Sequence, residues 1–101
     1  MITIPLLNGA ANAHQRFTIQ LGVNLLEFTL NYVTTYGPAW SVDIVREGLT
    51  LISGAMLEPN AVITDGYEAG IGRLVFVGED VTLDNLGLDN SLLWVADDEQ
   101  L

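Results

Sequence analysis

Few residues of this chain have side chains able to do chemistry, and each also has a plainer structural use. Acyl transfer needs a serine or threonine activated by a base that a third group orients. His14 is the only imidazole. It sits in the loop-like run Ala11-Asn12-Ala13-His14-Gln15, and no Gly-x-Ser-x-Gly elbow occurs anywhere in the chain. Glycoside hydrolysis needs two carboxylates across a cleft, with acidities pushed apart by their surroundings. Thirteen acidic residues make some pair inevitable, but a chain this short has little room for a deep cleft beside its core, so a solvated acidic face is the favoured reading. Asp80, Asp84, Asn85, Asp89 and Asn90 form an oxygen-rich stretch of the kind calcium takes. Leu86 and Leu88 break the ligand spacing of an EF-hand, and turn-forming Asp and Asn explain the stretch better. No glycine-rich phosphate loop precedes a helix. Trp40 and Trp94 have the flat faces that stack on sugars, which makes a small carbohydrate- or ligand-binding β-module the alternative function. Both, however, stand at alternating strand positions that suit a core.

Composition narrows the classes further. The chain has 101 residues, half of them hydrophobic and 16% charged. That is enough apolar surface to fold and enough length for one domain, residues 1–101. Thirteen acids against three arginines (Arg16, Arg46, Arg73) and no lysine give a formal charge of −10. This balance opposes specific nucleic-acid binding and attachment to anionic membranes. The charge is uneven: residues 1–63 carry two arginines and four acids, and residues 64–101 carry one arginine and nine acids. A solvated surface that keeps neighbouring strands from aggregating is the simplest use for it. There are no cysteines, so disulfides, thiolate metal sites and cysteine nucleophiles are excluded. The stretch before Arg16 has no basic residue, which argues against a signal peptide, and no apolar run is long enough for membrane insertion. No residue set points to a cofactor.

These side chains are to be positioned by strands. Short apolar runs recur between Gly, Pro, Asn and Asp clusters, the spacing of an all-β fold: a single small antiparallel β-barrel or sandwich of about six to seven short strands. Arg16–Leu21 and Leu25–Tyr32 alternate around Gly22-Val23-Asn24 and predict a hairpin. Trp40, Val42 and Ile44 alternate in a third strand, followed by a turn at Arg46-Glu47-Gly48. Leu49–Leu57, Leu74–Val77 and Leu92–Ala96 complete the set. An N-terminal arm at 1–14, an irregular loop at 59–72 and an acidic tail at 97–101 make up the remainder.

Two of these strands are apolar on both faces. In the fourth, Leu49, Leu51, Ala55 and Leu57 share one side, and Ile52 and Met56 the other. In the last, Leu92 and Trp94 oppose Leu93 and Val95. A second apolar face needs cover, from another part of the chain or from a partner. Ile52, Met56, Leu93 and Val95 are therefore the candidate assembly-interface residues.

Taken in order, the features resemble the small baseplate plug protein of contractile-tailed bacteriophages. The similarity runs from Ile4-Pro5-Leu6 through Gln15–Leu21, Phe28–Tyr32, Trp40, Asp43-Ile44, Gly48 and Gly54. It continues in Leu74–Val77, in Thr82-Leu83-Asp84-Asn85-Leu86-Gly87 and in Leu92-Leu93-Trp94-Val95. The resemblance implies a non-enzymatic virion structural protein at the centre of the baseplate, near the tail tube and the hub that carries the spike. It also implies tail tube, hub and spike proteins as partners, several copies of the chain within the assembly, and assembly in the host cytoplasm. Near such a tube, an acidic face turned toward a DNA passage would repel phosphates.

Overall fold

Alternation of apolar and polar residues between positions 14 and 56 builds one sheet by consecutive hairpins. The computed structural model describes residues 1–35, 37–64 and 71–96. Strands β2 (His14–Leu21), β3 (Asn24–Val33), β4 (Ala39–Arg46) and β5 (Leu49–Met56) lie side by side, each antiparallel to the next. The register sets Phe28 opposite Ile44 and Leu30 opposite Val42, so the inward side chains of neighbouring strands meet in rows. Leu26, Phe28 and Leu30 of β3 are buried, as are Trp40, Val42 and Ile44 of β4. The edge strand β2 differs. Its inward Phe17 and Ile19 are only half-buried, although the Phe17 ring stacks on that of Phe28 with centroids 5.3 Å apart.

The apparent two-faced character of β5 comes from a break in register. Val42 pairs with Ala55, Ile44 with Ile52 and Val45 with Thr50, so β5 spends an extra residue at each step against β4. Gly54 lies in the bulged region at φ +68°, where a side chain is disfavoured. Its N–H donates to Asp43 Oδ1 at 2.6 Å. The bulge switches the phase, so Ile52, Ala55 and Leu57 all point into the core while Leu49 and Met56 are exposed. The expected grouping of Leu49 and Leu51 with Ala55 and Leu57 is thereby corrected, because a period of two holds only along an uninterrupted ladder.

The second sheet joins the two ends of the described chain. Strands β1 (Ile2–Ile4), β6 (Ala61–Val62), β7 (Arg73–Gly78) and β8 (Asn90–Val95) are ordered β1-β8-β7-β6, all antiparallel. The described residues thus form eight strands where six to seven were expected. The additional two, β1 and β6, are too short to show alternation. The predicted arm at 1–14 begins with β1, whose Ile4 is buried, and ends where His14 opens β2. The predicted irregular loop at 59–72 contains β6 and buries Ile63, Thr64 and Ile71. Its 65–70 portion and the acidic 97–101 tail lie outside the described residues.

The sheets face one another across a single cluster that includes Ile4, Phe28, Trp40, Ile52, Leu74, Phe76, Leu86, Leu92 and Trp94. Among the described residues no strand passes from one sheet to the other, so the fold is an open sandwich and not a closed barrel. Two indoles pin loops to this core. Trp40 Nε1 donates to the Thr82 carbonyl at 3.0 Å, and Trp94 Nε1 donates to the Ile71 carbonyl at 2.5 Å. Next to the second contact the chain must pass very close to β8. Gly72 has φ +90°, and a Cβ there would stand 2.6 Å from the Val95 carbonyl oxygen.

Candidate assembly surface

The four interface candidates are separated by the fold. Ile52 is 1% exposed and packs in the inter-sheet core. Val95 is fully buried although it alternates out of phase with Leu92 and Trp94, so the outer side of β8 is covered at this point by the chain itself. Both are interior residues of this chain, which corrects the expectation that they face a partner. Leu93 is half-buried beside Val75, its cross-strand neighbour on β7. Met56, 39% exposed, is the one of the four that reaches solvent freely.

Met56 lines an open cleft of about 580 Å³ at one end of the sandwich. One wall is the start of β4 and the end of β5, tied together by the Leu57 N–H donating to the Trp40 carbonyl at 3.0 Å. The opposite wall is the 80–82 segment, held by the Trp40 indole. Pro38, Met56, Pro59 and Val81 give the cleft an apolar lining, and the exposed Glu58 and Asp80 add two carboxylates. Such a lining accepts an apolar side chain flanked by a positive charge. The sequence pattern had singled out Met56 alone. Pro38, Pro59 and Val81 come from separate connections that only the folded chain brings together.

Of the residues considered for chemistry, His14, Asn85 and Asn90 have structural partners. His14 is exposed and its Nδ1 is hydrogen-bonded to Asn31 Oδ1 on the neighbouring strand. In the oxygen-rich stretch, Asn85 Oδ1 accepts from the Thr82 N–H at 2.6 Å, and the Asn85 N–H donates to Thr82 Oγ1 at 3.2 Å. Asn85 Nδ2 donates to the Asp80 carbonyl at 2.8 Å, and Asn90 Oδ1 accepts from the Gly87 N–H at 2.8 Å. These amides close turns, the use expected from their types. Among the described residues no three His, Asp or Glu side chains gather as a metal site would require. Trp40 and Trp94 are 0% and 8% exposed, so neither presents a face on which a sugar could stack.

An open β-sandwich with an apolar cleft at one end presents surface on which contacts can be made. The sequence matches the family described as "Cyanophage baseplate Pam3 plug gp18" over residues 1–98. The chain belongs to this baseplate plug family. The match covers both sheets, every described strand and the cleft. Membership gives the chain a structural role in a phage baseplate, a place in the virion tail and contacts with other baseplate components. Among curated proteins, none matches the sequence. Among the described residues no helix is long and apolar enough to cross a membrane.

Proposed function

We propose that the chain acts without catalysis, as a plug or adaptor at the centre of a contractile-tail baseplate beside the tail tube and the hub that carries the spike. The family match over residues 1–98 is the observation that carries this reading. The fold supports it. His14, Asn85 and Asn90 are held by hydrogen bonds within turns and strands, whereas the Met56 cleft leaves apolar surface open. Hub, spike and tail-tube proteins are the partners of this reading, with more than one copy of the chain in the assembly, and the particle forms in the host cytoplasm.

The test is affinity capture of the tagged chain from cells producing its native phage, followed by mass spectrometry. Tail-tube, hub or spike proteins recovered in stoichiometric amounts are the expected result. Recovery of the chain alone and monomeric would overturn the central-baseplate reading. Turnover of a sugar or ester substrate by the purified chain would overturn the non-enzymatic one.

A further inference from the structure

Each sheet of an open sandwich has two edges, and three of the four here are blunted. Strand β1 has three residues and β6 has two. Strand β5 is interrupted by the Gly54 bulge, whose N–H is occupied by Asp43. Short strands and bulges are the usual means of preventing edge-to-edge pairing. Strand β2 has neither. It runs eight residues in unbroken register with β3, contains no proline or lysine, and among the described residues has no strand neighbour on its other side. It also carries no acid in a chain of net charge −10. Its single arginine, Arg16, is held by Glu27 on β3 at 3.3 Å.

The ladder fixes which backbone groups are free. The Tyr32 N–H donates to the Ala13 carbonyl directly opposite, and bonded pairs recur at every second residue of an antiparallel ladder. Residues 15, 17, 19 and 21 therefore bond to β3, while His14, Arg16, Thr18 and Gln20 direct their N–H and C=O groups outward from the edge. The inward Phe17 and Ile19 are left half-buried, because the row of core side chains ends there.

We propose that two copies of the chain pair β2 against β2, antiparallel about a two-fold axis through Thr18, and so form one continuous eight-stranded sheet. This register commits to a second copy because the strand complements itself. Thr18 meets Thr18, Arg16 meets Gln20, and Phe17 meets Ile19 on both sides of the axis. The outward-directed groups of residues 16, 18 and 20 complete the hydrogen-bonded pairs. Each half-exposed apolar side chain gains an apolar partner, and no like charges stand opposite each other. Shifting the axis to Phe17 leaves Ile19 facing Gln15, whose amide is already spent on Leu7 at 3.0 Å and 2.7 Å. The inference rests on the reading that the assembly holds several copies, and it names the contact through which they meet.

The test is the solution mass of the full chain by light scattering over a concentration series, with circular dichroism to confirm folding. The expected mass is twice the 10.9 kDa of one chain. Thr18→Lys places two ammonium groups directly opposite each other in the dimer, yet within one copy sets a lysine opposite Glu27, so a folded chain with dimer affinity weakened at least ~10-fold is expected. Thr18→Pro removes an N–H that β3 does not use, a position where an edge strand tolerates proline, and is expected to give folded monomer. Oxidised Thr18→Cys is expected to cross-link as a dimer, because bonded antiparallel pairs hold their Cα atoms about 5.5 Å apart, within disulfide reach. Thr50→Cys on the bulged β5 is expected to form no covalent cross-link. A wild-type chain that is monomeric throughout would overturn both this contact and the several-copy reading. A dimer that ignores Thr18→Lys and Thr18→Pro would overturn this contact alone.

Discussion

In the β2–β5 sheet each strand pairs with the next along the chain and one face is apolar, whereas in the β1-β8-β7-β6 sheet the first strand pairs with the last and apolar side chains are buried on both faces. Leu74 and Phe76 of β7 point into the inter-sheet core, but Val75 is buried as well, and Val95 on β8 repeats the pattern. The first sheet can form from local hairpins. The second has to bring the two ends of the chain together, so it carries most of the loop-closure cost. Its residues accordingly sit in more crowded surroundings, such as the approach of Gly72 to β8.

The sharpest way to break this comparison is Val95→Asp against Met56→Asp. An unpaired carboxylate in place of the fully buried Val95 is expected to cost roughly 4 kcal/mol or more. At about 4–8 °C per kcal/mol for a domain of this size, the melting midpoint falls by at least ~15 °C or folding is lost. If Val95→Asp melts with the wild type, the outer side of β8 is not a second interior face. Gly72→Ala comes next. The positive φ and the crowding against Val95 predict a loss of about 2–3 kcal/mol, read in urea unfolding as a lower midpoint at unchanged slope.

Effects in the first sheet are smaller. Asp43→Ala removes the acceptor of the Gly54 N–H and is expected to cost about 1 kcal/mol. Hydrogen exchange at Gly54 should accelerate while that of β3 amides does not, which locates the loss at the bulge. Met56→Asp lies at an exposed position and is expected to change stability by no more than about 0.5 kcal/mol, while reducing recovery of baseplate partners in the capture experiment. Unfolding of Met56→Asp would instead make the cleft part of the core.

The sequence was easiest to read where the ladder is regular. Phe17, Ile19 and Leu21 against Thr18 and Gln20, and Leu26, Phe28 and Leu30 against Glu27 and Thr29, announced β2 and β3 with their faces correctly assigned. Gly54 was visible too, but its effect on the phase of Ile52, Ala55 and Leu57 was not, because a bulge is defined by the partner strand. Strands β1 and β6 are held by pairing with β8 and β7, and segments of three and two residues carry no period of their own. Of the candidate surface, Met56 stood out as an apolar residue out of phase. The half-exposed edge at Phe17 and Ile19 did not, since edge and central strands have the same alternation.

Residue types and their order by themselves determined an all-β chain, a strongly acidic net charge, the absence of thiol chemistry and the hairpin framework of the first sheet, because these follow from local alternation, turn residues and charge counts. Only the tertiary structure decided that the barrel stays open as a sandwich, that Ile52 and Val95 face inward while Met56 faces out, and that one edge strand is left unpaired. Those outcomes depend on which distant segments meet: Ile4 with Leu92, Ala61 with Phe76, and Trp40 with Thr82. Pairing between distant segments is governed by the fit of whole faces, and no window of neighbouring residues contains it.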